Sequence, residues 1–177
     1  MHLLTELIRW PHEYPRKKYP KPPMGWQLKG QRVRLRMGDV ADWKSWPTLR
    51  DLSRPVVQPW EPTWPQNALT YSYFCGMLRR QWREWRQGSA YNFLIFLMNP
   101  NGSDGALLGS VTLNSIKRDI GQKATLGYWI GTPYAGRGYM RESLELVCAF
   151  AFQTLKLNRV EASCLPHNEP SKNLLKR

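Results

Sequence analysis

Gly136 and Gly138 flank Arg137, and Arg141 follows three residues later. These residue types at this spacing suit a phosphate. The glycines let a backbone come close to an anion, and the arginines add positive charge. Upstream, Thr125 to Ile130 reads as a strand; downstream, Arg141 to Leu157 reads as a helix. A glycine-bearing loop that feeds a helix is an anion site because the first helical N–H groups have no internal acceptor and the helix dipole favours negative charge there. The pattern is short. Taken alone, it reads equally as an ordinary loop whose glycines serve its backbone angles.

The elements that must position this loop are legible around it. Arg32, Arg34 and Arg36 alternate with Val33, Leu35 and Met37, the period of a half-buried strand. Asp39 is placed to cap a helix through Val40 and Trp43, limited by Pro47 and followed by a loop carrying Pro55, Pro59, Pro62 and Pro65. Asn67 is a candidate cap for the next helix, where Tyr71, Phe74, Leu78, Trp82 and Trp85 share one face and Gly88 is the stop. Tyr91 to Met98, Leu107 to Leu113 and Thr125 to Ile130 read as strands. The later helix buries Leu144, Val147, Cys148, Ala151 and Leu155. Arg159 to Leu165 is a further strand, and Ser171 to Lys176 starts a last helix. Strands joined first by short links and then by helices imply an α/β (α+β) fold with a mixed central sheet.

Composition bounds the rest. The chain of 177 residues fits one domain, and its 42% hydrophobic content with nine Trp excludes a disordered composition. No apolar run reaches the roughly 18 residues of a membrane span, and Met1 to Trp10 lacks the charge order and cleavage site of a signal peptide. Cys75, Cys148 and Cys164 have neither disulfide nor zinc spacing and read as small core residues of a cytoplasmic protein. No metal site is expected. Residues 1 to 30 are rich in Pro and Lys and read as a basic extended arm. The net charge of +13 attracts polyanions such as nucleic acid, ribosomes or a phosphate-rich cofactor.

Three segments, in order along residues 31 to 177, carry a resemblance. Leu126-Gly127-Tyr128-Trp129-Ile130, with Gly136-Arg137-Gly138-Tyr139-Met140-Arg141-Glu142, resembles the acyl-CoA signature of the GCN5-related N-acetyltransferases (the GNAT family). The ribosomal-protein-alanine branch is the most similar. Pro59-Trp60-Glu61-Pro62 resembles that branch's substrate-loop motif, and Leu165-Pro166-His167-Asn168-Glu169-Pro170-Ser171 its strand end and following helix start. Two positions depart: Ala135 stands where the family usually has Gln or Arg, and Met140 where it usually has a small residue. The family continues beyond the position of Arg177 with two closing strands. The acetyltransferase domain, 31 to 177, is therefore expected to be C-terminally incomplete, with an exposed sheet edge prone to dimer formation.

The resemblance implies acetyl-CoA as cofactor. Trp129 and Ile130 would offer backbone groups to its arm, and Gly136, Arg137, Gly138, Tyr139, Met140 and Arg141 would hold its pyrophosphate. Asn168 and Ser171 would lie near the thioester, although Asn168 reads equally as a helix cap and Ser171 as a first-turn residue. An attacking α-amine has a reference pKa of about 8, so modest base help suffices. Glu61 and Glu161 are the candidate bases, and each reads equally as a solvated or salt-bridged carboxylate. His167 is a weaker candidate, in a surface turn; His2 and His12 lie in the arm. A strand-end N–H near Ile130 would steady the oxyanion. No Tyr follows Tyr139, so Ser171 or a water would protonate the departing thiolate. The implied function is acetylation of a protein N-terminal amine, Ala of a ribosomal protein, with contact to ribosomal RNA through the arm. A small amine as acceptor, and a non-catalytic RNA-binding protein with Trp26, Trp43, Trp46, Trp60 and Trp64 as stacking platforms, remain alternatives.

Overall fold

The computed structural model describes residues 26–176 and, for 4–9, the path of the backbone. The apolar Leu4–Arg9 (β1), the short Gln27–Lys29 (β2) and the alternating Val33–Arg36 (β3) are strands. Two segments inside the expected arm are thus strands, and its Pro- and Lys-rich centre lies outside the described residues.

Asp39 caps as anticipated, its side chain accepting from Ala41 N. The single turn 40–44 then runs straight into Ser45–Val57 (α1). Pro47 does not end that helix. It falls in the first turn, where a missing N–H costs nothing, and Pro55 lies inside the same helix rather than in a loop. Thr70, not Asn67, caps Tyr71–Gln87 (α2), accepting from Tyr73 N at 3.2 Å. Asn67 supplies a backbone carbonyl to Thr70 instead. Gly88 ends α2 in the left-handed conformation that spares it a Cβ clash.

Tyr91–Met98 (β4), Asp104–Lys117 (β5) and Lys123–Ile130 (β6) form an antiparallel meander. Tyr139–Ala149 (α3), extended by a wide turn over 150–154, crosses to Arg159–Cys164 (β7), and Glu169–Leu175 (α4) follows. The sheet order is β1-β7-β6-β5-β4-β3-β2. Among the described residues only β6 and β7 pair in parallel; the outer edge of β7 carries β1 antiparallel, so the edge expected to be bare has a strand on it.

Two apolar clusters cover the two faces. Phe93, Val111, Leu126, Val147 and Phe150 lie in one, with α3. Trp46, Leu49, Phe74, Leu94 and Leu107 lie in the other, under α1 and α2. Of the three cysteines only Cys164 is buried. Three tryptophans named as RNA platforms are packing residues: Trp26 meets Phe150, while Trp43 and Trp46 meet Phe74.

Candidate functional site

β6 and β7 pair from Lys123↔Arg159 to Leu126↔Ala162 and then part. Beyond that point residues 127–130 have β5 on one side and, among the described residues, no strand on the other. Trp129 and Ile130 occupy this free end. A strand with unpaired N–H and C=O groups offers hydrogen bonds to an extended ligand.

The glycine loop begins directly after β6. Gly131 N donates to Leu108 O at 2.7 Å, and Thr132 N to the fully buried Ser53 Oγ at 3.0 Å, so β5 and α1 fix where the loop starts. Gly136 and Gly138 both take left-handed angles, with φ of 74° and 81°. A Cβ on Gly136 would meet nothing within 4 Å, which leaves an open cradle. Gly138 stands at the N-cap of α3 with no side chain to cap it. The N–H groups of Tyr139, Met140 and Arg141 therefore precede the first intrahelical bond, made by Glu142 N to Gly138 O at 3.2 Å. Arg137 is exposed, and Arg141 is exposed beside Glu145. Met140 can offer this loop only its backbone, because its side chain is buried in the core.

Arg32 and Glu142 were not legible as site residues. Glu142, in the first turn of α3, turns away from the loop and accepts Arg32 N at 2.8 Å, Arg32 Nε at 3.0 Å and Val33 N at 3.4 Å. Burial pushes its carboxyl up, but these bonds and the guanidinium charge outweigh burial and hold it below the ordinary carboxylate range. Arg32 also donates to Arg137 O and lies over the Tyr139 ring, 5.0 Å from its centroid. The clamp ties α3 to β3 and keeps an acidic side chain out of the anion cradle. In sequence Arg32 carried only the polar half of an alternating strand.

On the opposite face of the sheet lies a cavity of about 370 Å³ bounded by α1, the loop after it, α2 and Trp129, with Ser110 and Thr112 among its lining residues. Arg50 of α1 forks onto Glu61. Its guanidinium lies 4.1 Å from the Trp64 ring centroid and 4.7 Å from that of Trp129. Glu61 thus borders this cavity, with both oxygens occupied. Glu161 does not. It is level with Thr125 in the paired part of the strands, bound by Lys123 at 3.3 Å and Arg159 at 2.7 Å. Trp129 is four residues further along, about 13 Å at 3.3 Å per residue.

The turn before α4 brings the third segment in. Asn168 is a helix cap, its Oδ1 accepting Ser171 N at 3.3 Å. Ser171 Oγ pairs with Tyr128 Oη at 2.7 Å. His167 is exposed and meets the Trp60 ring at a tilt of 47°, with centroids 5.1 Å apart, so the segments around residues 60 and 167 meet in space. Among the described residues no three His, Cys, Asp or Glu side chains are grouped to hold a metal.

The model of the acetyltransferase (GNAT) domain family matches residues 32–177. The chain belongs to the GNAT family. This GNAT domain is 39% identical over 87 residues to "Probable N-acetyltransferase YjcK" of Bacillus subtilis (strain 168), covering 49% of this chain and 46% of that protein. It is 29% identical over 125 residues to the [ribosomal protein uS5]-alanine N-acetyltransferase of Escherichia coli (strain K12), covering 71% of this chain and 62% of that one. The chain thus spans about half to three fifths of the length of these relatives. Among solved structures, RimJ of Mycobacterium smegmatis in complex with CoA-disulfide superposes with a TM-score of 0.74 at 24% identity, covering 81% of this chain and 68% of that chain. The likeness places the fold among acetyltransferases. Among the described residues no helix is long and apolar enough to cross a membrane.

Proposed function

We propose that this protein is an acetyl-CoA-dependent N-acetyltransferase of the cytoplasm whose acceptor is a protein N-terminal amine, Ala of a ribosomal protein. One observation carries the reading. The sheet opens between β6 and β7 directly beside an uncapped helix N-terminus, and an aromatic cavity lies across Trp129 on the other face. An open strand end beside an anion cradle fits a ligand with an amide-bearing arm and a pyrophosphate. When bound, acetyl-CoA supplies an activated acetyl thioester. The relationship to a ribosomal-protein alanine acetyltransferase supports the choice of acceptor.

The chain's own residues would divide the work as follows. The N–H groups from Tyr139 to Arg141, with Arg137, hold the pyrophosphate. The free edge of β6 at Trp129 and Ile130 aligns the arm and offers an N–H to charge growing on the carbonyl oxygen. Glu61 keeps Arg50 and Trp64 over the acceptor cavity, and the proton of the α-amine, whose reference pKa is about 8, passes to water. Ser171 gives a proton to the departing sulfur. The solvent face of α2 carries Arg79, Arg80, Arg83 and Arg86, a surface suited to ribosomal RNA.

A small amine is the second reading, favoured by the cavity of about 370 Å³. Incubation with acetyl-CoA and peptides starting with Ala, Ser or Met, read by mass, separates them. Transfer to the α-amine of Ala- or Ser-starting peptides is expected. CoA binding without peptide transfer would favour the small amine, and absence of CoA binding would remove both.

A further inference from the structure

One contact bridges the opening between β6 and β7. Tyr128 stands two residues past the last β6–β7 pair, on the α3 side of the sheet, where its ring packs against the core. Its hydroxyl lies 2.7 Å from Ser171 Oγ in the first turn of α4, and Ser171 N is anchored on Asn168 Oδ1. A phenylalanine would fill the same space, and a neutral hydrogen bond adds only about 1 kcal/mol to stability. The hydroxyl pair is therefore free to serve a role besides packing.

We propose that Tyr128 is a positioning residue for acetyl transfer: it donates to Ser171 Oγ, which turns the Ser171 hydroxyl hydrogen into the opening, and it restores that proton after Ser171 has given it away. The inference rests on the acetyltransferase reading. In the step, the acceptor nitrogen forms a bond to the acetyl carbon while the carbon–sulfur bond breaks. The sulfur takes the Ser171 proton, the Ser171 oxygen takes the Tyr128 phenol proton, and Tyr128 recovers one from water. The acceptor nitrogen loses its own proton to water, so protons balance.

The surroundings keep the phenol protonated between turnovers. Burial pushes the Tyr128 phenol above the ordinary tyrosine value, the bond to Ser171 pulls it partly back, and the Cys164 thiol of β7, the titratable neighbour acting on it, adds to the rise. The phenol thus keeps its proton at neutral pH and remains a donor. A phenol is still far more acidic than an aliphatic hydroxyl, so it reprotonates Ser171 readily.

The test uses the whole chain with Tyr128→Phe, Ser171→Ala and the double variant. Tyr128→Phe is expected to lower kcat about 10- to 100-fold, with KM for acetyl-CoA and the calorimetric Kd for CoA within about twofold. In the Ser171→Ala background the same change is expected to cost less than about twofold, because the two act as one unit. An NMR titration of ring-labelled tyrosine in the free protein is expected to show the Tyr128 midpoint rising further in Ser171→Ala. Unchanged kcat in Tyr128→Phe, an equal loss in both backgrounds, or a midpoint indifferent to Ser171→Ala would each overturn the inference alone. A wild-type protein that neither binds CoA nor transfers acetyl would overturn the inference together with the acetyltransferase reading.

Discussion

Arg50 holds Glu61 with both terminal nitrogens, at 3.0 and 2.6 Å, and Trp64 Nε1 donates to the same carboxylate at 2.8 Å. This triad joins α1 to the Pro-rich loop that walls the cavity beside Trp129, and Arg50 Nε is buried without a partner. Only a planar, two-pronged cation reaches both carboxylate oxygens while lying over indole rings.

Arg50→Lys therefore loosens the loop although the charge is kept. We expect kcat/KM for the acceptor peptide to fall about 10- to 100-fold, equivalent to roughly 1.4 to 2.8 kcal/mol, with CoA affinity within about twofold. Steady-state kinetics with each substrate varied, beside a CoA titration, checks the split. An equal loss of CoA affinity would show that the loop serves the cofactor rather than the acceptor.

The two loop glycines separate ligand effects from fold effects. Gly136→Ala meets no neighbour and pays only for its left-handed angle, about 1 kcal/mol of stability. Gly138→Ala carries the same strain and presses its Cβ to 3.2 Å from Arg32 Nη2. We expect Gly138→Ala to melt lower of the two. Both are expected to weaken CoA binding about tenfold or more, because a methyl group intrudes on the cradle. Thermal melts paired with calorimetry decide it; a Gly136→Ala protein with undiminished CoA affinity would place the pyrophosphate elsewhere.

Acid sensitivity should concentrate on Glu142. Its carboxyl is held below the ordinary value in the folded chain, so its stabilising contribution is complete above the unfolded value of about 4.5 and is lost as pH falls through the lower folded value. Glu142→Gln is expected to destabilise the protein by roughly 2 kcal/mol at pH 7. The gap to wild type is expected to narrow as pH drops below the ordinary carboxylate range. Denaturant melts of both proteins at a series of pH values test this; a gap that is flat down to pH 3 would detach the effect from Glu142.

The parts of the site that are local in sequence were legible in it. The strand, the glycine loop and the helix from 125 to 149 announce themselves through alternation, glycine spacing and an apolar stripe. The Pro-rich segment misled because proline suits the first turn of a helix as well as a loop: Pro47 took that place, and tertiary packing of Trp46 and Leu49 carried α1 through Pro55. Contacts across the fold left no local signal. Arg32 braces a loop 105 residues away at Arg137, and Tyr128 meets Ser171 over a separation of 43. Glu161 illustrates the converse: it lies on a site strand, yet the pairing register puts it at the closed end, held by Lys123 and Arg159.

We propose that acetyl-CoA sits in the opening between β6 and β7 with its pyrophosphate on the N-terminus of α3. Backbone amide NMR of the whole chain during a CoA titration tests it most directly. Saturable binding is expected, with the largest shifts at residues 127–130, 136–141 and 168–171. No binding, or shifts gathered around the Arg50 cavity with the glycine loop silent, would contradict it.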